Sequence, residues 1–459
     1  MPTFIPHTDE ETRGMLEDLG VDDLDGVFDT IPHSLRLGRA LDLPDGMSEF
    51  DVVEEMESLA NKNGVGGRLL LSFAGGGAYD HDIPAAVRAL GNRSEFVTAY
   101  TPYQPEVAQG VLEALFEFQT LIARLSGLEV ANASLYDGAT ALVEAVNLAC
   151  AATGRRRILV SEAINPHYLE TVATFAKGTG VIIEGFGLTD GLTSASMLED
   201  AQLGDDVAAV IISNPNFFGA YEDVANLAAR AKVAGALLIQ IYDPVSVSLL
   251  ASPGALGADV AVAEGQPLGI PLSFGGPYLG LFSVNANYTR LVPGRLVGTT
   301  RDASGRLGYV TTLRTREQDI RREKASSNVC TNQTLMAVQS TIYMSWIGKE
   351  GFRELGATCV SRAHSLAEQL CAIEGVSLLT PEFFREFTVS LPVSAVALRE
   401  RLVEEGYLAG VLPSVAQSDA IGGEALILTA TERRSEAEIT RFVAAFAEAV
   451  RALSSVGGR

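Results

Sequence analysis

The chain has 459 residues, 47% hydrophobic and 20% charged, with 45 glycines, which predicts a soluble, well-buried protein of two or three domains rather than a disordered one. Its formal charge of −23 comes from Asp and Glu spread along the sequence, which argues against nucleic acid and anionic membrane as partners, since phosphate contacts need clustered Lys and Arg. Cys150, Cys330, Cys359 and Cys371 form no CxxC pair and no metal-site spacing with histidine; with no basic-then-apolar leader and no run of 18 uncharged apolar residues, buried free thiols, no metal, no membrane span and a cytoplasmic location are expected.

Residues 1–60 read as a helical arm. "TDEETRGMLEDLG" opens on Thr8 as N-cap, carries acids in its first turn and stops at Gly20. "DDLDGVFDTIPHSLRL" reads as a second short helix broken at Pro32. From 61 to 325 the pattern is that of a large α/β domain. Val111, Leu115, Phe118, Ile122 and Leu125 form one apolar helical stripe. The runs "RILVSEA", "GVIIEGF", "VAAVIIS", "ALLIQIYD", "ADVAVAE" and "YLGLFSV" are short, rich in Val and Ile, and separated by helix-length links, as in a mainly parallel sheet. Residues 326–459 form a smaller α+β domain with strands in "FREFTVSLP" and "EALILTAT" and a final helix in "SEAEITRFVAAFAEAVRAL". A large parallel-sheet domain with a helical arm and a small C-terminal domain is the layout of fold-type I pyridoxal-phosphate enzymes.

In that layout a helix N-terminus receives the cofactor phosphate, because its free N–H groups and dipole attract an anion. The helix opening at "DGAT" is in the right place, but Asp137 stands in its N-cap slot; a carboxylate there would take the N–H groups of Gly138 to Thr140 and repel a phosphate. The pattern favours a capped structural helix. Asp243, ending "LLIQIYDP", sits where a carboxylate would meet the pyridine nitrogen, and equally where Asp-Pro would shape a turn. A Schiff base needs an amine, yet no lysine occurs from Val233 to Glu323, and Gln266 stands at the expected place. The flanking Lys232 and Lys324 lie in charged, exposed-looking contexts.

"FIPHTDEETRGMLEDLG", "FAGGGAYDHDIP", "TAYTPYQPEVAQGVLEALFEFQTLIARLSGLEVANASLYDGATALVEA", "SFGGPYLG", "PGRLVGTT" and "TLRTREQDIRREKASSNVCTNQ" closely resemble the glycine decarboxylase P-protein. The likeness is to its N-terminal half, a separate chain (subunit 1, or alpha) in many bacteria, and runs from about residue 3 to the end. The resemblance implies that a beta subunit carries the lysine and the pyridoxal phosphate, and that alpha completes the cavity. It also implies release of CO2 from glycine, transfer of the aminomethyl group to the lipoyl arm of the H-protein, and an alpha2-beta2 heterotetramer. An autonomous pyridoxal-phosphate enzyme using a lysine such as Lys324, or a non-catalytic scaffold, are the alternatives.

The expected cavity contribution is "TAYTPYQPE", where Pro102 and Pro105 stiffen the chain and Tyr100, Thr101, Tyr103 and Gln104 offer polar groups; the other reading is a surface loop. His81, after three glycines, is expected in a pocket wall or subunit contact, or in a plain turn, and Asp82 is expected to cap the helix of "IPAAVRAL". From Arg290 to Lys324 nine basic residues face four acidic ones. Arg314 and Arg316 are the sharpest candidates there for docking carboxylates or a partner, with an interdomain salt-bridged segment as the alternative.

Overall fold

The computed structural model describes residues 7–65, 68–98, 101–273, 275–325 and 327–456. The chain divides into two compact units between Leu69 and Leu70. In the first, α1 (Asp9–Leu19) begins in a capping box in which Thr8 and Glu11 satisfy each other's backbone N–H, and ends on Gly20 in the left-handed conformation (φ 68°). The second expected helix is instead two single 3₁₀ turns, Asp25–Phe28 and His33–Leu35, on either side of Pro32. A further helix, α2 (Glu49–Asn61), starts at Ser48, whose hydroxyl accepts from Asp51 N–H.

The second unit is built on a seven-stranded sheet: β1 (Val130–Ala131), β2 (Arg157–Ser161), β3 (Ile182–Phe186), β4 (Val207–Asn214), β5 (Leu237–Tyr242), β6 (Val260–Glu264) and β7 (Gly280–Val284). Their spatial order is 1-7-6-5-4-2-3. Strands 3, 2, 4, 5 and 6 run parallel and β7 pairs antiparallel with both β6 and β1. The run "YLGLFSV" thus forms a strand as its residues predict but reverses direction: the link from β6, rich in glycine and proline, forms no crossover helix among its described residues. Residues of β4, β5 and β6 are buried on both faces, the reason their runs are continuously apolar.

The stripe helix, α3 (Gln109–Ser126), buries Val111, Leu115, Phe118 and Ile122 and leaves Leu125 partly covered. α4 (Gly138–Thr153) covers one face of the sheet and α5 (Val224–Val233) the other. A hairpin, β8 (Leu296–Arg301) with β9 (Leu307–Thr312), follows the sheet. A long helical segment, α6 (Thr334–Cys371), broken at Gly348 (φ 62°), then leads into the C-terminal region.

There β10 (Glu386–Ser390) is central in a three-stranded antiparallel sheet beside β11 (Ala425–Thr429), covered by α7 (Ala395–Glu404) and α8 (Glu436–Val456). Leu71–Ser72, far earlier in the chain, pairs in parallel with Tyr407–Leu408, and Phe73 stacks on Phe442 at 3.9 Å. Of the cysteines only Cys359 is buried; Cys330 and Cys371 are exposed, which corrects the expectation of uniformly buried thiols. No helix among the described residues is long and apolar enough to cross a membrane.

Candidate active site

The C-terminal end of β6 meets the N-terminus of α4, the position expected to receive a phosphate. Asp137 caps that helix: its Oδ1 accepts from Thr140 N–H at 2.8 Å, and Thr140 Oγ1 faces the Asp137 N–H in return. Gly138 N–H donates to Glu264 Oε2 at 3.0 Å. Glu264 ends β6, and its Oε1 accepts from Gln266 and Leu279 N–H at 2.9 and 3.0 Å. Burial raises its carboxyl to about 7, against those three backbone donors. Two side-chain carboxylates therefore occupy the N–H groups an anion would need. A Cβ at Gly138 would overlap the Tyr168 hydroxyl, so a larger residue there would force that ring to shift.

Asp243, just beyond β5, shapes its turn by accepting from Val245 N–H at 2.9 Å and also accepts from Arg385 Nη2 at 2.8 Å. The Arg385 side chain is 1% exposed and its guanidinium lies 3.8 Å from the Tyr79 ring centre. Arg385 Nη1 also meets His81 Nε2. A guanidinium has only donors, so Nε2 accepts and the ring proton lies on Nδ1, facing Glu432 Oε2 at 2.8 Å. Burial would raise Glu432, but the hydrogen bonds of His81 and of Asp82 N–H hold it at about 2. Asp82 does not cap the following helix; Pro84 is its N-cap residue, and the Asp82 backbone is tied to Glu432 instead. His81, Cys359 and Glu432 converge within 4.8 Å, a grouping that sequence spacing conceals, but the Arg385 guanidinium already supplies positive charge there.

Gln266 is a buried clasp. It accepts from Tyr79 N–H at 2.8 Å and donates to the carbonyls of Tyr79 and Ile270 at 2.9 and 2.8 Å. The Tyr79 hydroxyl donates to Glu386 Oε2 at 2.9 Å, and Gly76 N–H to Oε1 at 2.6 Å. What remains between these groups is a cavity of about 70 Å³, far below the ~300 Å³ at which cofactor-sized pockets begin. The residues do not fit pyridoxal phosphate: its phosphate, ring nitrogen and aldehyde positions meet carboxylates, an existing ion pair and an amide.

A second polar cluster lies on the outer face. In the "TPYQP" loop, Pro102 is buried while Tyr103 (43% exposed) and Gln104 face outward; Thr101 is half-buried and its carbonyl accepts from Tyr103 N–H. Tyr100 lies outside the described residues. Tyr103 is flanked by two guanidiniums, Arg295 at 5.0 Å and Arg314 at 5.2 Å from its ring centre. Arg295, 4% exposed, donates to the Tyr103 hydroxyl, the Cys330 carbonyl and Asn332 Oδ1 at 3.1, 2.8 and 2.8 Å. Asn332 in turn donates to the Ala133 carbonyl and to the Ser134 hydroxyl, on a residue with φ 103°. Arg314 pairs with Asp319 at 2.9 Å. Arg316, by contrast, spends its guanidinium on the carbonyls of Val292, Gly294 and Leu313.

The family model "Glycine cleavage system P-protein" matches residues 2–446. The chain belongs to that family. It is 48% identical over 444 residues to "Probable glycine dehydrogenase (decarboxylating) subunit 1" of Moorella thermoacetica, covering 96% of this chain and 98% of that protein. It also superimposes with a TM-score of 0.91 on a crystal structure of glycine decarboxylase (P-protein) of the glycine cleavage system in inhibitor-bound form. The two are 42% identical, and the match covers 97% of this chain and all of the other. A glutamate decarboxylase from Lactobacillus brevis, at 13% identity and a TM-score of 0.67, shares the fold, covering 90% of this chain and 95% of its own.

Within this P-protein-family chain, the structure brings together two candidates that the sequence kept apart, Tyr103 and Arg314, and adds Arg295 between Tyr103 and Asn332. Arg295 lay inside "PGRLVGTT", within the basic stretch from Arg290 to Lys324, with nothing to single it out from its neighbours. Glu264, Arg385 and Glu386 were also missed. Glu264 alone left a sign, an acid closing an otherwise apolar strand run.

Proposed function

We propose that the chain is the lysine-free alpha subunit of a two-chain glycine dehydrogenase (decarboxylating). Its partner, the beta subunit, holds pyridoxal phosphate, and the pair releases CO2 from glycine and passes the aminomethyl group to the lipoyl arm of the H-protein. The assembly is an alpha2-beta2 heterotetramer in the cytoplasm. This chain contributes walls and donors rather than the catalytic amine. The observation that carries the reading is the closure of its own cofactor position by Glu264, Arg385 and Gln266.

The face around Tyr103 is the part offered to the shared cavity. Arg295 supplies positive charge for a carboxylate, Arg314, already paired with Asp319, flanks the other side of the ring, and Tyr103 supplies a hydroxyl on a proline-stiffened loop. Arg295 Nε, Arg314 Nε and Glu317 Oε1 are buried without partners among the described residues, which supports an arrangement completed by a neighbour or ordered water.

The test is to purify the chain alone and with a lysine-bearing beta subunit. Glycine–bicarbonate exchange is expected only from the pair, and borohydride should leave no pyridoxyl group on this chain. A pyridoxyl adduct on any of its five lysines would indicate an autonomous enzyme. A stable pair without exchange would indicate a scaffold.

A further inference from the structure

One cavity, of about 240 Å³, is lined by Arg290, Arg316, Arg321 and Lys324, and its other lining residues are neutral. Among the described residues, Arg290, Arg321 and Lys324 make no ion pair, unlike Arg314, which is neutralised by Asp319. Arg316 is fixed in the wall by its carbonyl contacts and cannot swing away, so its charge stays at the cavity. Glu317, whose charge is opposed by Arg295, Arg314 and Arg316 together, is not part of the lining.

Four like charges around one concavity repel one another, and in a protein of net charge −23 there is no shortage of acids that could have been placed among them. An arrangement of this kind is stable when a multivalent anion sits between the charges, with guanidinium forks and an ammonium matching tetrahedral oxygens. At ~10–15 Å³ per water-sized position, the cavity has room for more than a bare phosphate. Its concave form also suits a small ligand better than the flat acidic surface of another protein.

We propose that this cavity binds a small multivalent oxyanion of the phosphate-ester class, separately from the Tyr103 face and from the closed cofactor position. The proposal goes beyond the reading of the chain as a decarboxylase subunit. Its readout is binding to this chain, so it stands or falls independently of activity.

The experiment is calorimetric titration of the full chain, and of its complex with the beta subunit, with inorganic pyrophosphate and inorganic phosphate at constant ionic strength in chloride buffer. One pyrophosphate per chain is expected, with phosphate weaker and acetate not competing. The double substitution Arg321→Ala/Lys324→Ala, at two exposed positions, should weaken binding at least ~10-fold, because it removes two of the four charges that line the cavity. Lys349→Ala should leave binding unchanged. Absence of saturable binding at millimolar pyrophosphate, equal affinity in the double variant, or equal competition by acetate would each overturn the proposal. So would a loss of acidic-protein binding in the double variant while pyrophosphate binding is unaffected, which would make the cavity a docking site for a macromolecule.

Discussion

Arg385 donates to Asp243 at 2.8 Å from a position 142 residues away, inside a region almost without solvent. Removing one partner of such a pair leaves a buried charge uncompensated, which costs ~3–5 kcal/mol. Asp243→Ala should lower the urea midpoint of the chain sharply. The apolar pair Asp243→Leu/Arg385→Met should recover most of the loss, because no charge is then stranded. If Asp243→Ala leaves the midpoint where it was, the ion pair does not close the pocket in solution.

Glu386 predicts a pH dependence. Burial raises its carboxyl from 4.5 to about 7, against hydrogen bonds from Gly76 and Tyr79 and the attraction of Arg385. The folded state therefore holds its proton more tightly than the unfolded chain. That contribution is fully present below about 4.5 and is lost as pH rises through about 7. Glu386→Gln keeps the shape and removes the titration. It should reduce the fall in urea midpoint between pH 5 and pH 8, with Glu264 and the other carboxyls raised by burial, Glu144, Glu222 and Asp259 among them, contributing to the remainder. An unchanged slope would show that Glu386 titrates normally.

At Gly138 the added Cβ of Ala would overlap the Tyr168 hydroxyl and approach Glu264 N–H at 2.9 Å. Gly138→Ala is expected to cost ~1–3 kcal/mol through overpacking. Tyr168→Phe in the same chain should restore part of it by removing the hydroxyl. A double variant no more stable than Gly138→Ala would place the strain elsewhere, for instance against the Glu264 backbone.

The Tyr103 face predicts an effect on the assembled enzyme. Arg295→Met removes donors to Tyr103, Cys330 and Asn332 at once. It should reduce glycine–bicarbonate exchange of the alpha–beta pair by ~10–100-fold, or ~1.4–2.8 kcal/mol of barrier. Arg295→Lys should recover only part of the activity, because an ammonium cannot reach three acceptors in one plane. Tyr103→Phe should have the smaller effect. Full exchange in Arg295→Met would remove this face from the shared cavity.

The local features of the chain were legible because they rest on neighbours. Thr8 is the N-cap as predicted, with Glu11 closing a capping box on it, the Val111–Ile122 stripe is buried on one helix, and all six apolar runs are strands. Asp137 caps Thr140, three residues on, as its position in "DGAT" suggested. Where a local signal competed with another constraint it failed. Asp82 lost the cap to Pro84 because its own backbone is held by Glu432, 350 positions away.

By itself the sequence determined that no lysine stands at the strand ends and that the backbone repeats the order of a pyridoxal-phosphate fold, since composition and period-two or period-3.6 patterning are properties of short windows. Only tertiary structure decided what fills the space left behind. Glu264 reaches Gly138 across 126 residues, Arg385 reaches Asp243 across 142, and Arg295 reaches Tyr103 across 192. Partners so distant leave no periodic trace, because their meeting depends on how strands are ordered in the sheet and not on the residues between them.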